Sequence, residues 1–218
     1  MGGEPDLLGS QEGWLVLNRI ALRGFTLVEV MVVLTIVGIV LAFGTPSFVA
    51  YLQGAKLASS AQSYLSGVQL ARAEAIRRNL LVQFVLTDTP VATANFQNAA
   101  VLSVTGQNWL VRVFNPTTAV FDLIEAKSAL EGSYSSSGTA PVQIAGTATP
   151  PAVFDGSISF SGFGGTTTGG VYALDLQNPS GGACAPAGPM RCPRIRVAAG
   201  GRALLCDPIV AAGDSRAC

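Results

Sequence analysis

Four cysteines, Cys184, Cys192, Cys206 and Cys218, fall within the last 35 residues of a 218-residue chain that has no histidine. An even number of thiols crowded at one end suits disulfides and an oxidising compartment. Zinc is the competing chemistry. The intervening lengths of 7, 13 and 11 residues, however, lack the close C-x₂₋₄-C pairs of structural zinc sites. Cys206–Cys218 would staple the chain end and Cys184–Cys192 would close a Pro/Gly-rich loop. Four cysteines allow three pairings, and the spacing leaves them open. Without histidine, Ser-His-Asp and Cys-His catalysis are excluded. Neither a phosphate loop nor a dinucleotide fingerprint is present. Asp155 and Asp175 are isolated from each other, and Gly162-Phe163-Gly164-Gly165 reads as a flexible glycine loop. No catalysis, metal or cofactor is expected.

Arginine offers the other candidate chemistry. Residues Arg191 to Cys218 hold five arginines (191, 194, 196, 202 and 216) and two aspartates (207 and 214), a local balance of 5 − 2 = +3. Arginine bonds phosphate bidentately. Arg194, Arg196 and Arg202 are therefore candidates for a weak, salt-dependent contact with DNA. Solvating a sheet edge is the competing role for them. The whole chain balances 13 basic against 13 acidic residues, so it carries no global footprint of a nucleic-acid binder.

These residues need elements to hold them. Phe25 to Phe43 reads FTLVEVMVVLTIVGIVLAF, 19 residues with one charge, Glu29. At 1.5 Å per residue it would rise roughly 28 Å as a helix, close to a bilayer's hydrocarbon thickness. A secretory signal core would be shorter, about 7–15 residues. Arg19 and Arg23 place the N-terminal side in the cytoplasm. A carboxylate in such a span costs on the order of 2–3 kcal/mol. Glu29 is then either tolerated by snorkelling and the helix dipole, or paired with an α-amino group created by cleavage before Phe25.

Ser47 to Asn79 keeps a helical pattern, with Tyr51, Ala55, Ala58, Ala61, Leu65, Val68 and Ile76 as the predicted inner stripe. Gly44 and Pro46 predict an interruption. From Leu80 the texture turns to short β-prone runs. Strands are predicted at Leu80–Thr87, Val101–Thr105, Trp109–Phe114, Val120–Glu125, Ile158–Ser161, Val171–Leu176, Arg194–Val197 and Ala203–Cys206, with loops at Gly132–Gly138 and Gly162–Gly170. Strands after one long helix fit an α+β fold, the helix lying on an antiparallel sheet. Trp109 reads as a packing residue.

Several motifs then carry a resemblance. Arg23-Gly24-Phe25-Thr26-Leu27-Val28-Glu29 resembles the prepilin peptidase site of type IV pilins and type II secretion pseudopilins. Leu70-Ala71-Arg72-Ala73-Glu74-Ala75 and Asn108-Trp109-Leu110-Val111 resemble stretches of the GspH/FimT family of minor pilins and pseudopilins. Gly201-Arg202-Ala203-Leu204-Leu205-Cys206-Asp207-Pro208 is similar to the Gly-Arg-x-Arg and Cys-Asp-Pro frame of the FimT/FimU branch. Leu204 stands where that frame has its second arginine, so only Arg202 is carried over.

The resemblance implies a cleaved leader at 1–24, a transmembrane and filament-core helix at 25–46, its amphipathic half at 47–79, and a β-rich periplasmic head at 80–218. It implies cleavage after Gly24, N-methylation of Phe25, and subunit docking through Glu29. Its implied partners are other pilins, the prepilin peptidase, bacterial inner-membrane lipid before assembly, and DNA. The expected role is a minor pilin that primes a type IV pilus or sits at its tip. A minor pseudopilin of type II secretion is the alternative.

Overall fold

The computed structural model describes residues 24–128, 143–149, 153–177, 183–188 and 190–218, excluding the side chains of residues 42–47, 49, 50 and 143–145. The expected leader apart from Gly24, and the expected Gly132–Gly138 loop, lie outside the described residues. The chain divides into two compact units at Gly44–Thr45.

In the first unit, helix α1 (Leu27–Arg78) starts at Thr26. Thr26 Oγ1 accepts the Glu29 backbone N–H at 3.2 Å, and the Thr26 carbonyl accepts the Val30 N–H at 3.2 Å. This is the N-cap half of a Thr-x-x-Glu capping box. It satisfies a donor that the helix cannot, and is worth about 1 kcal/mol. Leu27, Leu34, Ile36 and Val40 are all exposed, so apolar side chains stand in water around the whole helix. A helix apolar all round needs lipid or other helices about it. Among the described residues no helix is long and apolar enough to cross a membrane. The stretch Leu27 to Leu41 rises roughly 22 Å, and the expected 25–46 span continues into residues whose side chains lie outside the described set. The predicted interruption is corrected: α1 runs unbroken through Gly44 and Pro46. A proline removes one hydrogen bond, which here does not end the helix.

In the second unit the inner face of α1 is Leu57, Ala61, Tyr64, Val68, Ala71 and Ala75, all buried, at steps of three and four. The predicted stripe is thereby corrected. Ala61 and Val68 belong to it, but Tyr51 is 72% exposed and Ile76 also faces water. Apolar residues occupy more than one face of this helix, so periodicity alone admits a rotated stripe.

α1 ends in a Schellman motif. Asn79 takes a left-handed φ of 51°, Leu80 N–H bonds the Ala75 carbonyl, and Asn79 N–H bonds the Ile76 carbonyl, both at 3.3 Å. Glu74 accepts hydrogen bonds from Arg77 and Arg78 at 2.6 and 2.7 Å. Those two bonds hold its carboxyl down at about 2.

Two antiparallel four-stranded sheets follow among the described residues, where the sequence predicts one. The first contains β1 (Val82–Thr87), β2 (Asn108–Asn115), β3 (Val120–Lys127) and β5 (Ser157–Phe160), in the order β3-β2-β1-β5. The second contains β4 (Gln143–Thr149), β6 (Val171–Gln177), β7 (Arg194–Val197) and β8 (Ala203–Cys206), in the order β4-β6-β7-β8. The predicted strand Val101–Thr105 reduces to one bridge, Leu102 with Thr87, before a turn closed by Gly106 N–H on the Ser103 carbonyl. Strand β4 has no counterpart in the predicted set. Its QIAGTAT run is poor in β-branched and aromatic residues.

One continuous core joins the α1 stripe to Val82, Phe84, Leu86, Trp109 and Val111 of the first sheet, and to Tyr172, Leu174, Leu176, Ile195 and Val197 of the second. Each fully buried large apolar side chain contributes about 1.5–3 kcal/mol. The other face of the first sheet packs Val85 and Leu110 under Phe96, which begins the short helix α2 (Phe96–Ala99). Arg112 is 7% exposed on this sheet. Its guanidinium donates to Gln83 Oε1 at 3.0 Å and to the Gln97 carbonyl at 2.7 Å, and lies 4.0 Å from the Phe121 ring centre. Burial pulls its pKa down, with the charge of Asp155 opposing.

The helix lies close on the sheet at Gly67, where a Cβ would meet Phe84 Cε2 at 2.9 Å and Trp109 Cε3 at 3.0 Å. Gly67→Ala should therefore destabilise the chain by about 1–2 kcal/mol, because overpacking two core rings outweighs a helix-propensity gain of about 1 kcal/mol. Chemical denaturation of the full chain in detergent checks this. A midpoint above the parent's would contradict it.

Tyr64 supplies a pH signature. Its hydroxyl donates to the Gln107 carbonyl from a buried position. Burial pushes its pKa above the usual phenol range. The folded state thus holds this proton more tightly than the unfolded chain. The stability it contributes is complete below pH about 10 and is lost as pH rises above that. Between about pH 9 and 11.5 the parent should lose more stability than Tyr64→Phe, read as converging denaturation midpoints.

Candidate functional site

The expected N-terminal site forms a compact feature within the first unit. Gly24 has open space around it, with no heavy atom within 4 Å of where a Cβ would sit. Phe25 is 82% exposed. Phe25 and Glu29 share a shallow apolar pocket of about 230 Å³ with Val30, Val33 and Leu34. The Gly24–Phe25 bond therefore precedes the first helical turn without being part of it, and Glu29 lies within that first turn. The Thr26 hydroxyl is a functional group that the sequence reading passed over. The Thr-x-x-Glu spacing could have revealed it.

The C-terminal site is built on β7 and β8. The chain joins Cys184 to Cys192 and Cys206 to Cys218, with Cα separations of 5.6 and 5.1 Å. Both bonds occupy the thiols that a zinc site would need. Strand register then decides the fate of the arginines. Arg194 lies opposite Asp175 on β6, and its Nε and one terminal nitrogen bond the two carboxylate oxygens at 2.6 and 3.1 Å. Arg196 donates to the Cys218 carbonyl oxygen at 2.8 Å. Arg191 pairs with Asp207 at 3.4 Å and Arg216 with Asp214 at 3.0 Å. Hydrogen bonds from Arg216 hold the Asp214 carboxyl down at about 2.

Arg202 is different. It closes the β7–β8 turn, where Ala198 N–H bonds its carbonyl at 2.9 Å, and its exposed side chain has no partner among the described residues. Arg194, Arg196 and Arg202 therefore do not make one free basic patch. Arg72 of α1 lines the same pocket as Arg202. No local spacing joins residues 72 and 202, which stand 130 positions apart.

A capped helix preceded by an open Gly-Phe junction, with its C-terminal part buried against antiparallel sheets and its tail stapled by disulfides, defines a pilin-like subunit. Residues 22–45 match the prokaryotic N-terminal methylation motif, and residues 60–201 match the family of type II transport protein GspH. The chain belongs to the GspH family.

Solved structures similar to the chain include the type IV minor pilin FimU of Pseudomonas aeruginosa strain PAO1. Its crystal form in space group P21 has 11% identity and a TM-score of 0.42, covering 68% of this chain and 87% of that one. Another is the minor pseudopilin EpsH from the Type 2 Secretion System of Vibrio cholerae, with 12% identity and a TM-score of 0.45, covering 71% of this chain and 99% of that one. No curated protein matches the chain significantly.

The terminal staple should matter to stability. Cys206–Cys218 closes a loop with a sequence separation of 12, worth about 3 kcal/mol by loop-closure entropy. A Cys206→Ser/Cys218→Ser double variant should unfold earlier in denaturant by that amount. An unchanged midpoint would show that the tail is held by other contacts.

Proposed function

We propose that the chain is a minor pilin of a type IV pilus, made with a leader that is cut after Gly24 and N-methylated at Phe25. The observation that carries this reading is the Gly24–Phe25 junction. It is exposed, outside the helix, and one turn before a carboxylate in an apolar run. In the inner membrane the α1 segment from Phe25 onward would sit in lipid, with Arg19 and Arg23 on the cytoplasmic side and the sheets in the periplasm. Assembly would move that apolar surface from lipid to neighbouring helices, with Glu29 facing the new α-amine of an adjoining subunit.

The Cys-Asp-Pro frame around the Cys206–Cys218 bond supports the pilus over the secretion machine. The match to a type II transport family supports the second reading, a minor pseudopilin. A DNA contact belongs to the first reading and rests on Arg202, whose exposed side chain has no partner among the described residues.

Mass spectrometry of the chain from its native membrane should find N-methylated Phe25 as the first residue. An intact residue 24–25 bond in cells with an active peptidase would remove the pilin reading. Glu29→Val should be processed normally but fail to enter filaments. Loss of the chain should abolish surface pili and leave protein secretion intact, whereas the reverse pattern would select the pseudopilin.

A further inference from the structure

Strand β3 ends the first sheet, and among the described residues its strand partner is β2 alone. The far side of such a strand carries backbone groups that another strand can pair with. The register shows which groups these are. Phe114 of β2 donates its N–H to the Leu81 carbonyl at 3.0 Å, away from β3. Phe114 and Phe121 therefore stand opposite each other without exchanging hydrogen bonds, and the Phe121 N–H and carbonyl point off the sheet. Leu123, two residues on, points its own backbone groups the same way. The Val120 and Leu123 side chains on this edge are exposed.

Asn98 occupies the Phe121 groups. Its Oδ1 accepts the Phe121 N–H at 2.9 Å, and its Nδ2 donates to the Phe121 carbonyl at 3.0 Å. One side-chain amide thus offers the acceptor and the donor that a residue of an added strand would offer. The short helix α2 holds it there. Phe96 is buried with Val85 and Leu110, and the Arg112 guanidinium bonds the Gln97 carbonyl while lying over the Phe121 ring. Asn98 Nδ2 also donates to Asn95 Oδ1 at 3.0 Å. Past Leu123 the register shifts opposite Val111 and Arg112, an irregularity that breaks the ladder. The regular part of the edge is therefore the short run up to Leu123, and Asn98 sits on it.

We propose that Asn98 closes the β3 edge against pairing with β3 of a second copy of this chain. An antiparallel pair centred on Phe121 would exchange that residue's N–H and carbonyl with the same groups of the copy, a self-complementary contact about a two-fold axis. Asn98 stands where the copy's Phe121 would stand. Subunits gathered by their apolar helices would otherwise meet edge to edge at a raised effective concentration. The guard is independent of the processing proposed at Gly24 and of any DNA contact.

The test is sedimentation velocity of the full chain in detergent over a concentration series. Asn98→Ala should self-associate about tenfold more tightly than the parent, because two freed edge groups become available for pairing. Asn98 is exposed, so this variant should keep its fold, read as a cooperative denaturation transition. Adding Leu123→Pro should return association to the parental level. The Leu123 N–H points off the edge, so proline there blocks an added strand without removing a bond to β2. Association through α1 is common to all these chains and drops out of the comparison. Should Asn98→Ala lose its fold, Asn98→Asp, which keeps the acceptor and loses the donor, takes its place with the same expected gain and the same reversal by proline. A folded variant that associates no more than the parent overturns the guard. So does association that survives Leu123→Pro, or a parent whose own association Leu123→Pro abolishes.

Discussion

The second unit is organised by how closely a helix can lie on a sheet. At Gly67 the α1 backbone has no side chain between itself and the Phe84 and Trp109 rings. One and two turns further on, the inner positions are Ala71 and Ala75. Small residues fill the inner positions at this end, and Leu57 and Tyr64 fill them at the other. The second sheet completes the enclosure by adding Tyr172, Leu174 and Ile195 to the same core. Close approach also explains why the helix stops where it does. The Asn79 turn takes the chain from α1 into β1 within a few residues, so Val82 and Phe84 begin on the buried face.

Charge is scarce, and the fold uses most of it locally. Glu74 holds two arginines of its own last turn, Asp175 holds Arg194 across a strand pair, and Asp214 holds Arg216 two residues away. Such exposed pairs contribute little energy each. Their effect is to fix long side chains and lower the local positive potential. The +3 balance of the C-terminal segment therefore overstates the free positive charge in it, and what remains is concentrated near the β7–β8 turn.

Legibility followed the range of the interaction. Strands β7 and β8 were readable to the residue, because alternation and flanking turns are local signals. The N-terminal methylation motif is a local signal as well, carried by the seven residues from Arg23 to Glu29. Strand β4 was not readable, because QIAGTAT becomes a strand by pairing with β6 and not by its own propensity. The inner stripe of α1 was misplaced by about one position, since alanines on several faces give periodicity no unique phase. Arg72 and Arg202 stand 130 positions apart in sequence, and contacts such as that of Gly164 with Gly201 make them line one pocket. The pairing of Arg194 with Asp175 is likewise a matter of cross-strand register.

The Thr26 cap has a consequence for the order of events in the life of the chain. The hydrogen bond that starts α1 comes from a residue downstream of the Gly24–Phe25 bond. Nothing upstream of that bond is needed to complete the first turn. The proposed cleavage would exchange a tail for a cation at the positive end of the helix dipole, an unfavourable neighbour for it. Glu29, within the first turn, is the nearest compensating charge on the same helix. The proposed cleavage would leave the helix geometrically finished and electrostatically incomplete, and a second helix bringing its own carboxylate alongside would restore the balance.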